Sequence, residues 1–290
     1  PNSNSLAHRT TWLRSDLVTE AKFVKGFMKM CEDGCQMGWH ERNGGNFSYR
    51  MREDETALIR ENFSYEKDWA EIGTEVPDLA GEHFLVTGSG KFFGNVKTDP
   101  EGNLAVIEID EEGTKYRILW GLKDGGVPTS ELPSHLMNHQ VKKKGTNGKH
   151  RVIYHCHPVH TIALTFVLPL QEEVFTRELW EMMTECPVIF PDGAAVIPWM
   201  VPGGKEIAVR SSQCMKDHDV VIWAHHGIFC SGEDFDQTFG LTHTVEKAAE
   251  ILCNVLAMAP YKRQTIEPEG FRELAKEFGV NLQERFLYEK

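Results

Sequence analysis

The chain has 290 residues, with 31 Lys+Arg against 43 Asp+Glu, a formal charge of -12, 41% hydrophobic residues and 25 Gly. Ordinary apolar content over this length supports a compact globular protein and excludes a disordered, collagenous or disulfide-scaffold chain. The acidic balance argues against nucleic acid or an anionic membrane as a partner, because that affinity comes from clustered Lys and Arg; the only basic run, residues 142–144, reads as a solvated helix end.

Residues 16–39 place Leu17, Ala21, Val24, Met28, Cys31 and Cys35 on one face at helical spacing, behind Ser15 as N-cap. Asn43-Gly44-Gly45-Asn46 then turns into a strand over 47–52, where apolar and polar residues alternate. Residues 53–82 are charged and irregular and read as a surface excursion, which costs a fold little. A strand over 83–87 follows, then a hairpin that pairs 104–109 with 115–120 across Glu111-Glu112-Gly113. A helix is expected from Ser130 to Lys142, a strand over 151–157, and helical patterns over 160–168 and 172–185. Strands at 194–200 and 219–226 and helices at 234–258 and 272–278 close the chain. Hairpins and helices mix without regular βαβ alternation, which predicts an α/β fold in a single domain over 1–290: a largely antiparallel central sheet flanked by helices, with 1–15 as a peripheral segment. No P-loop or G-x-G-x-x-G fingerprint is present.

Seven scattered cysteines lack the paired spacing of a structural zinc site and fit a reducing compartment. The first residues, PNSNSLAHRT, lack the apolar stretch of a signal peptide, and no segment approaches the roughly 18 apolar residues of a membrane span. A cytoplasmic location is expected.

The most informative stretch is Tyr154-His155-Cys156-His157. Residues i and i+2 of a strand share a face, so His155 and His157 project side by side and can grip one metal ion. A third donor is available at the end of the 219–226 strand, where either His225 or His226, but not both, faces the same side. Three histidines with an open fourth position is the arrangement of a catalytic zinc. A rival set, Glu131, His135 and His139, recurs every four residues along one helix; its histidines read as ordinary helix-face residues.

Glu131 stands at a helix start that Ser130 can cap, where a carboxylate is favoured and can serve as a general acid or base. The turns at 43–46 and 87–91, with the hydroxyls and N–H groups of Thr129 and Ser130, can cradle a phosphate without a basic surface. Glu178, Glu181 and Glu185 read as a solvated acidic face.

The segments ERNGGN (41–46), TGSGKFF (87–93), VPTSELPSH (127–135), HCH (155–157), TECPVIFPDG (184–193), PWMVPG (198–203) and HHGIF (225–229) closely resemble the class II aldolase/adducin family, in order along nearly the whole chain. The resemblance implies His155, His157 and His226 as ligands of one Zn2+ per subunit and Glu131 as the catalytic acid/base. It implies phosphate and dihydroxyacetone contacts from Asn43, Gly45, Asn46, Ser89, Gly90, Thr129 and Ser130. It further implies a cyclic homotetramer in which Glu185 is supplied across the subunit interface. The implied reaction is reversible cleavage of L-rhamnulose 1-phosphate to dihydroxyacetone phosphate and L-lactaldehyde through a metal-stabilised enediolate. An aldolase, epimerase or dehydratase of another ketose phosphate can use the same three histidines, because fold does not fix reaction. A non-catalytic adducin-like module would not need the metal ligands. A cupin-like dioxygenase would need many short strands in place of the long helical stretches.

Overall fold

The computed structural model describes residues 18–290. Leu17, the proposed Ser15 cap and the segment 1–15 lie outside them.

Among the described residues nine strands form one sheet: β1 (Asn46–Arg50), β2 (Ala70–Glu71), β3 (His83–Thr87), β4 (Leu104–Ile109), β5 (Lys115–Gly121), β6 (Val152–Cys156), β7 (Ala194–Ile197), β8 (Val220–Trp223) and β9 (Gly227–Gly232). Their order is β2-β5-β4-β3-β1-β6-β9-β8-β7. Every pairing is antiparallel except β7 with β8. The largely antiparallel sheet expected from the sequence is therefore the observed one.

Period-two alternation splits the core. One face of the sheet carries Phe47, Tyr49, Tyr154, Cys156, Ile228 and Cys230, and packs with residues of the helices Lys22–Gln36, Glu172–Trp180 and Phe235–Met258. The other carries Phe84, Val86, Ile107, Ile153, Val221 and Phe229, and packs with residues of the helices Leu132–Gly145 and Lys205–Met215. Because Phe47 and Tyr154 point to the first face, their neighbours Asn46, Ser48 and His155 point to the second, toward the helix Leu132–Gly145.

Several expectations are corrected. The first helix is narrower than 16–39, and its buried residues include Phe23, Phe27 and Met30, while Met28 and Cys35 are only partly covered. Residues 53–82 are no surface excursion: a helix Glu53–Ile59 and the edge strand β2 form there, and Ile59, Ile72, Val76 and Leu79 enter the core. The strand expected over 219–226 stops at Trp223, and a turn leads into β9, which its short, Gly- and Ser-containing sequence concealed. The helix at 172–185 ends at Trp180. Ser130 does not cap the helix Leu132–Gly145; Thr129 Oγ1 accepts instead from the Glu131 N–H at 3.2 Å. Lys142 is buried and pairs with Asp219 at 2.6 Å, so the basic run is only partly solvated. Glu178 and Glu181 also leave the predicted acidic face, pairing with Lys262 and Lys290. The Asp234 carboxylate caps the long helix Phe235–Met258 by accepting from the Gln237 N–H at 2.8 Å, in agreement with the boundary read from sequence. All seven cysteines are free.

Candidate active site

Strand register brings the predicted residues to one end of the sheet. Asn46 begins β1 opposite His155, near the end of β6; His155 in turn faces Phe229, two residues into β9. Thr87 ends β3, and its hydroxyl accepts from the Phe47 N–H at 3.1 Å. The Thr129 N–H donates to the Thr87 carbonyl at 3.0 Å, and the Ser89 N–H to the Val127 carbonyl at 2.8 Å. The loops around 43–46, 87–91, 127–131, 155–158 and 224–227 thus emerge together.

One imidazole nitrogen from each of His155, His157 and His226 lies within 4.8 Å of the other two. Each of the first two is oriented from its far side. His155 Nδ1–H donates to the Ile228 carbonyl at 2.9 Å, and His157 Nδ1–H donates to the Glu41 carboxylate at 2.6 Å. That leaves Nε2 as the lone-pair nitrogen on both rings, and His157 Nε2 is buried without a partner. His155 Nε2 stands 3.3 Å from His226 Nε2. Burial pushes the His155 pKa well down, and burial with the neighbouring His157 brings His226 to about 4, so these rings are neutral at pH 7. Converging lone pairs repel unless a cation lies between them. The donor set, its tautomers and the orphaned nitrogen fit a divalent metal bound by three imidazoles.

His225 is excluded for a reason that strand alternation did not supply. It sits in the turn after β8 with φ 59°, a left-handed conformation that sends its ring away from its neighbour's. Its ring packs on Phe166, and its Nδ1 lies 3.3 Å from Thr165 Oγ1.

Glu131 is buried, and its Oε2 has no partner. Burial raises its pKa to about 7, against the opposing pull of the Ser134 hydroxyl and the Gly203 backbone. A carboxyl poised there can both release and return a proton near neutrality. Thr129 is buried beside it, while Ser130 and Asn43 are exposed and Ser89 is half-buried.

The glycine turn is held tightly. Gly45 has φ +77°, and a Cβ there would come within 2.6 Å of both the His155 carbonyl and His40 Nδ1, so only glycine fits. Gly90, at φ +70°, has open space beside it. His40 stacks on Phe93 with ring centroids 3.6 Å apart, bonds the Gly44 carbonyl through Nδ1 at 3.0 Å and accepts the Tyr154 hydroxyl at Nε2 at 2.6 Å. Burial lowers its pKa to about 3, so it joins the 43–46 and 87–93 segments as a neutral ring.

Glu185 is not brought to the imidazoles. It is exposed ahead of the short helix Cys186–Ile189, and its carboxylate makes no hydrogen bond or ion pair among the described residues. Sequence reasoning missed His40, Glu41, Ser48 and Gly203. It also assigned His135 and His139 to an ordinary helix face, whereas both are fully buried in hydrogen bonds with β1. The four-residue spacing was visible; the polar partners on a strand some 90 residues earlier were not.

Residues 25–253 match the family model for the Class II Aldolase and Adducin N-terminal domain. The chain is 52% identical over 263 residues to a rhamnulose-1-phosphate aldolase of Mannheimia succiniciproducens, covering 91% of this chain and 96% of that protein. It is 48% identical, with the same coverage, to a rhamnulose-1-phosphate aldolase of Escherichia coli O157:H7. A sugar-phosphate aldolase from Thermotoga maritima superposes with a TM-score of 0.70 at 28% identity, over 81% of this chain and 95% of that one.

Proposed function

Since the chain belongs to the class II aldolase/adducin family, we propose that it reversibly cleaves L-rhamnulose 1-phosphate to dihydroxyacetone phosphate and L-lactaldehyde. It is a metal-dependent aldehyde-lyase. The observation that carries the reading is the convergence of three imidazoles beside Asn46, at the sheet end where Glu131 is held near pKa 7.

In this reading His155, His157 and His226 hold zinc, which when bound acts as a Lewis acid on the ketose. The chain's own groups supply the rest. Backbone N–H groups of the turns at Gly45 and Gly90, with Asn43, Asn46, Ser89, Thr129 and Ser130, hold the phosphate and the dihydroxyacetone portion. Donors of this kind suit a chain of net charge -12, which has no basic field for a dianion. As the C3–C4 bond breaks, the hydroxyl on C4 gives its proton to the carboxylate that attends the aldehyde oxygen, the partner subunit's Glu185, its oxygen becomes the aldehyde, and the bonding pair stays with C3; exchange with water afterwards returns both carboxyls to their starting states. Glu131 delivers a proton to C3; in the synthetic direction it removes that proton.

Glu185 of the partner subunit attends the aldehyde oxygen. Its exposure here supports that role, as do the exposed Phe166, Val167, Trp199 and Val201, apolar groups suited to the interfaces of a homotetramer. No helix among the described residues is long and apolar enough to cross a membrane. We read 1–290 as one catalytic domain built on a single continuous sheet.

A coupled reductase assay that reads dihydroxyacetone phosphate, run on L-rhamnulose 1-phosphate and L-fuculose 1-phosphate with metal analysis of the same sample, tests the reading. Preferred release from the rhamnulose ester with about one zinc per subunit is expected. Epimerised product with no triose phosphate would replace the lyase by an epimerase. Glu131→Gln should lower turnover by at least about 10²-fold, the usual scale of general acid–base catalysis, with zinc content unchanged.

A further inference from the structure

Asn46 opens a buried chain of polar contacts that the proposed reaction does not use. Its Oδ1 is 2.5 Å from His135 Nε2; His135 Nδ1 is 2.5 Å from Ser48 Oγ; Ser48 Oγ is 2.8 Å from His139 Nε2. His135, His139 and Ser48 are fully buried, and Asn46 is 8% exposed. The asparagine Nδ2 has no hydrogen-bond partner among the described residues.

We propose that His135 is a positioning residue that sets the polarity of the Asn46 amide, so that its NH2 group, rather than its carbonyl oxygen, is presented to the sugar phosphate. This rests on the substrate-binding role given to Asn46 above. Burial brings His135 to about 3 and pushes His139 well down, so each ring is neutral, with one donor and one acceptor nitrogen. Two directions pair every proton along the chain; a third, in which the Ser48 hydroxyl accepts from both rings, leaves its own buried proton without an acceptor among the described residues and is set aside. In one, His139 Nε2–H donates to Ser48, the Ser48 hydroxyl donates to His135 Nδ1, and His135 Nε2–H donates to Asn46 Oδ1. In the other every proton is reversed, and Asn46 turns its Nδ2 to the ring.

Two observations select the first. His139 Nδ1 is buried and has no partner. The first direction leaves a lone pair there, whereas the second would strand an N–H, and orphaned buried donors are the rarer defect. The second observation is the ligand's chemistry: a phosphate or a developing oxyanion needs donors, and a carbonyl oxygen facing it would repel. Phe229 keeps the ring seated, packing edge-on against His135 at 5.4 Å while stacking on His155 at 4.3 Å. The amide is thereby fixed in a framework shared with the metal-ligand strand.

Two measurements test this. Neutron diffraction from a deuterated crystal of the metal-loaded protein should find deuterium on His135 Nε2 and none on Nδ1; deuterium on Nδ1 overturns the proposal whatever the reaction proves to be. The second is a double-mutant cycle on the affinity for dihydroxyacetone phosphate, with zinc content verified in every variant. His135→Phe should weaken binding about tenfold, the scale of one lost charge-assisted hydrogen bond, and raise KM more than it lowers kcat. The same substitution made on Asn46→Ala should cost almost nothing further, because the residue acts only through that amide. Equal losses on both backgrounds would make His135 merely structural and sink the proposal. Failure of the wild type to bind dihydroxyacetone phosphate would instead refute the reading of function and leave the diffraction result to decide the proton's place.

Discussion

Glu131 has two measurable consequences, and the one independent of turnover concerns stability. Its ordinary pKa of 4.5 is raised to about 7 in the fold, so between these values the folded chain holds a proton that the unfolded chain has released. Stability from this group is fully present below pH 4.5 and is lost as pH rises through about 7. Glu131→Gln cannot ionise and escapes that loss. The variant should therefore gain on wild type as pH goes from 4.5 to 8, by at most about 3 kcal/mol at about 1.4 kcal/mol per unit. Urea unfolding of the metal-free proteins at both pH values checks this, and a constant difference would mean that the carboxyl is not desolvated as its burial implies.

At the scale of elements, the glycine turn shows what local sequence can and cannot reveal. Gly45→Ala must strain a backbone at φ +77° and drive a methyl against the His155 carbonyl and His40. It should cost about 1–3 kcal/mol of stability and raise KM for the sugar phosphate. Gly90→Ala, with open space around it, should disturb the fold less although its φ is also positive. Thermal unfolding and steady-state kinetics of the pair give the comparison. The sequence announced both turns and the His155/His157 pair, because each is a contiguous signal governed by strand or turn geometry. It did not announce that His40 would bridge two loops or that Ser48 would sit between His135 and His139, since those contacts join segments about 50 to 110 residues apart. The choice of His226 over His225 came from resemblance; a left-handed turn residue has no signature in a run of two histidines. The core residues of 53–82 were equally hidden, being single apolar anchors among charges rather than a periodic run.

The whole molecule combines these groups into an acid-sensitive fold. His40, His135, His139, His155 and His226 all have pKa values lowered by burial from 6.5, with His40 and His135 at about 3 and His226 at about 4. The folded state therefore binds fewer protons than the unfolded state just below pH 6.5. Stability from these rings is present above pH 6.5 and is lost as pH falls toward the folded values. These five rings, joined by His83 and His150, outnumber the contrary carboxyls Glu131 and Asp192, which leaves a slope on the order of 5 kcal/mol per pH unit. Against a total stability of about 5–15 kcal/mol, the metal-free protein should unfold within roughly one to three units below pH 6.5. A metal on His155, His157 and His226 binds only the neutral rings, so saturating zinc should move the acid midpoint downward and chelator should move it back. Circular dichroism against pH, with and without zinc, follows both transitions. Coincident curves would mean that these three rings do not hold the ion, whatever the activity of the enzyme.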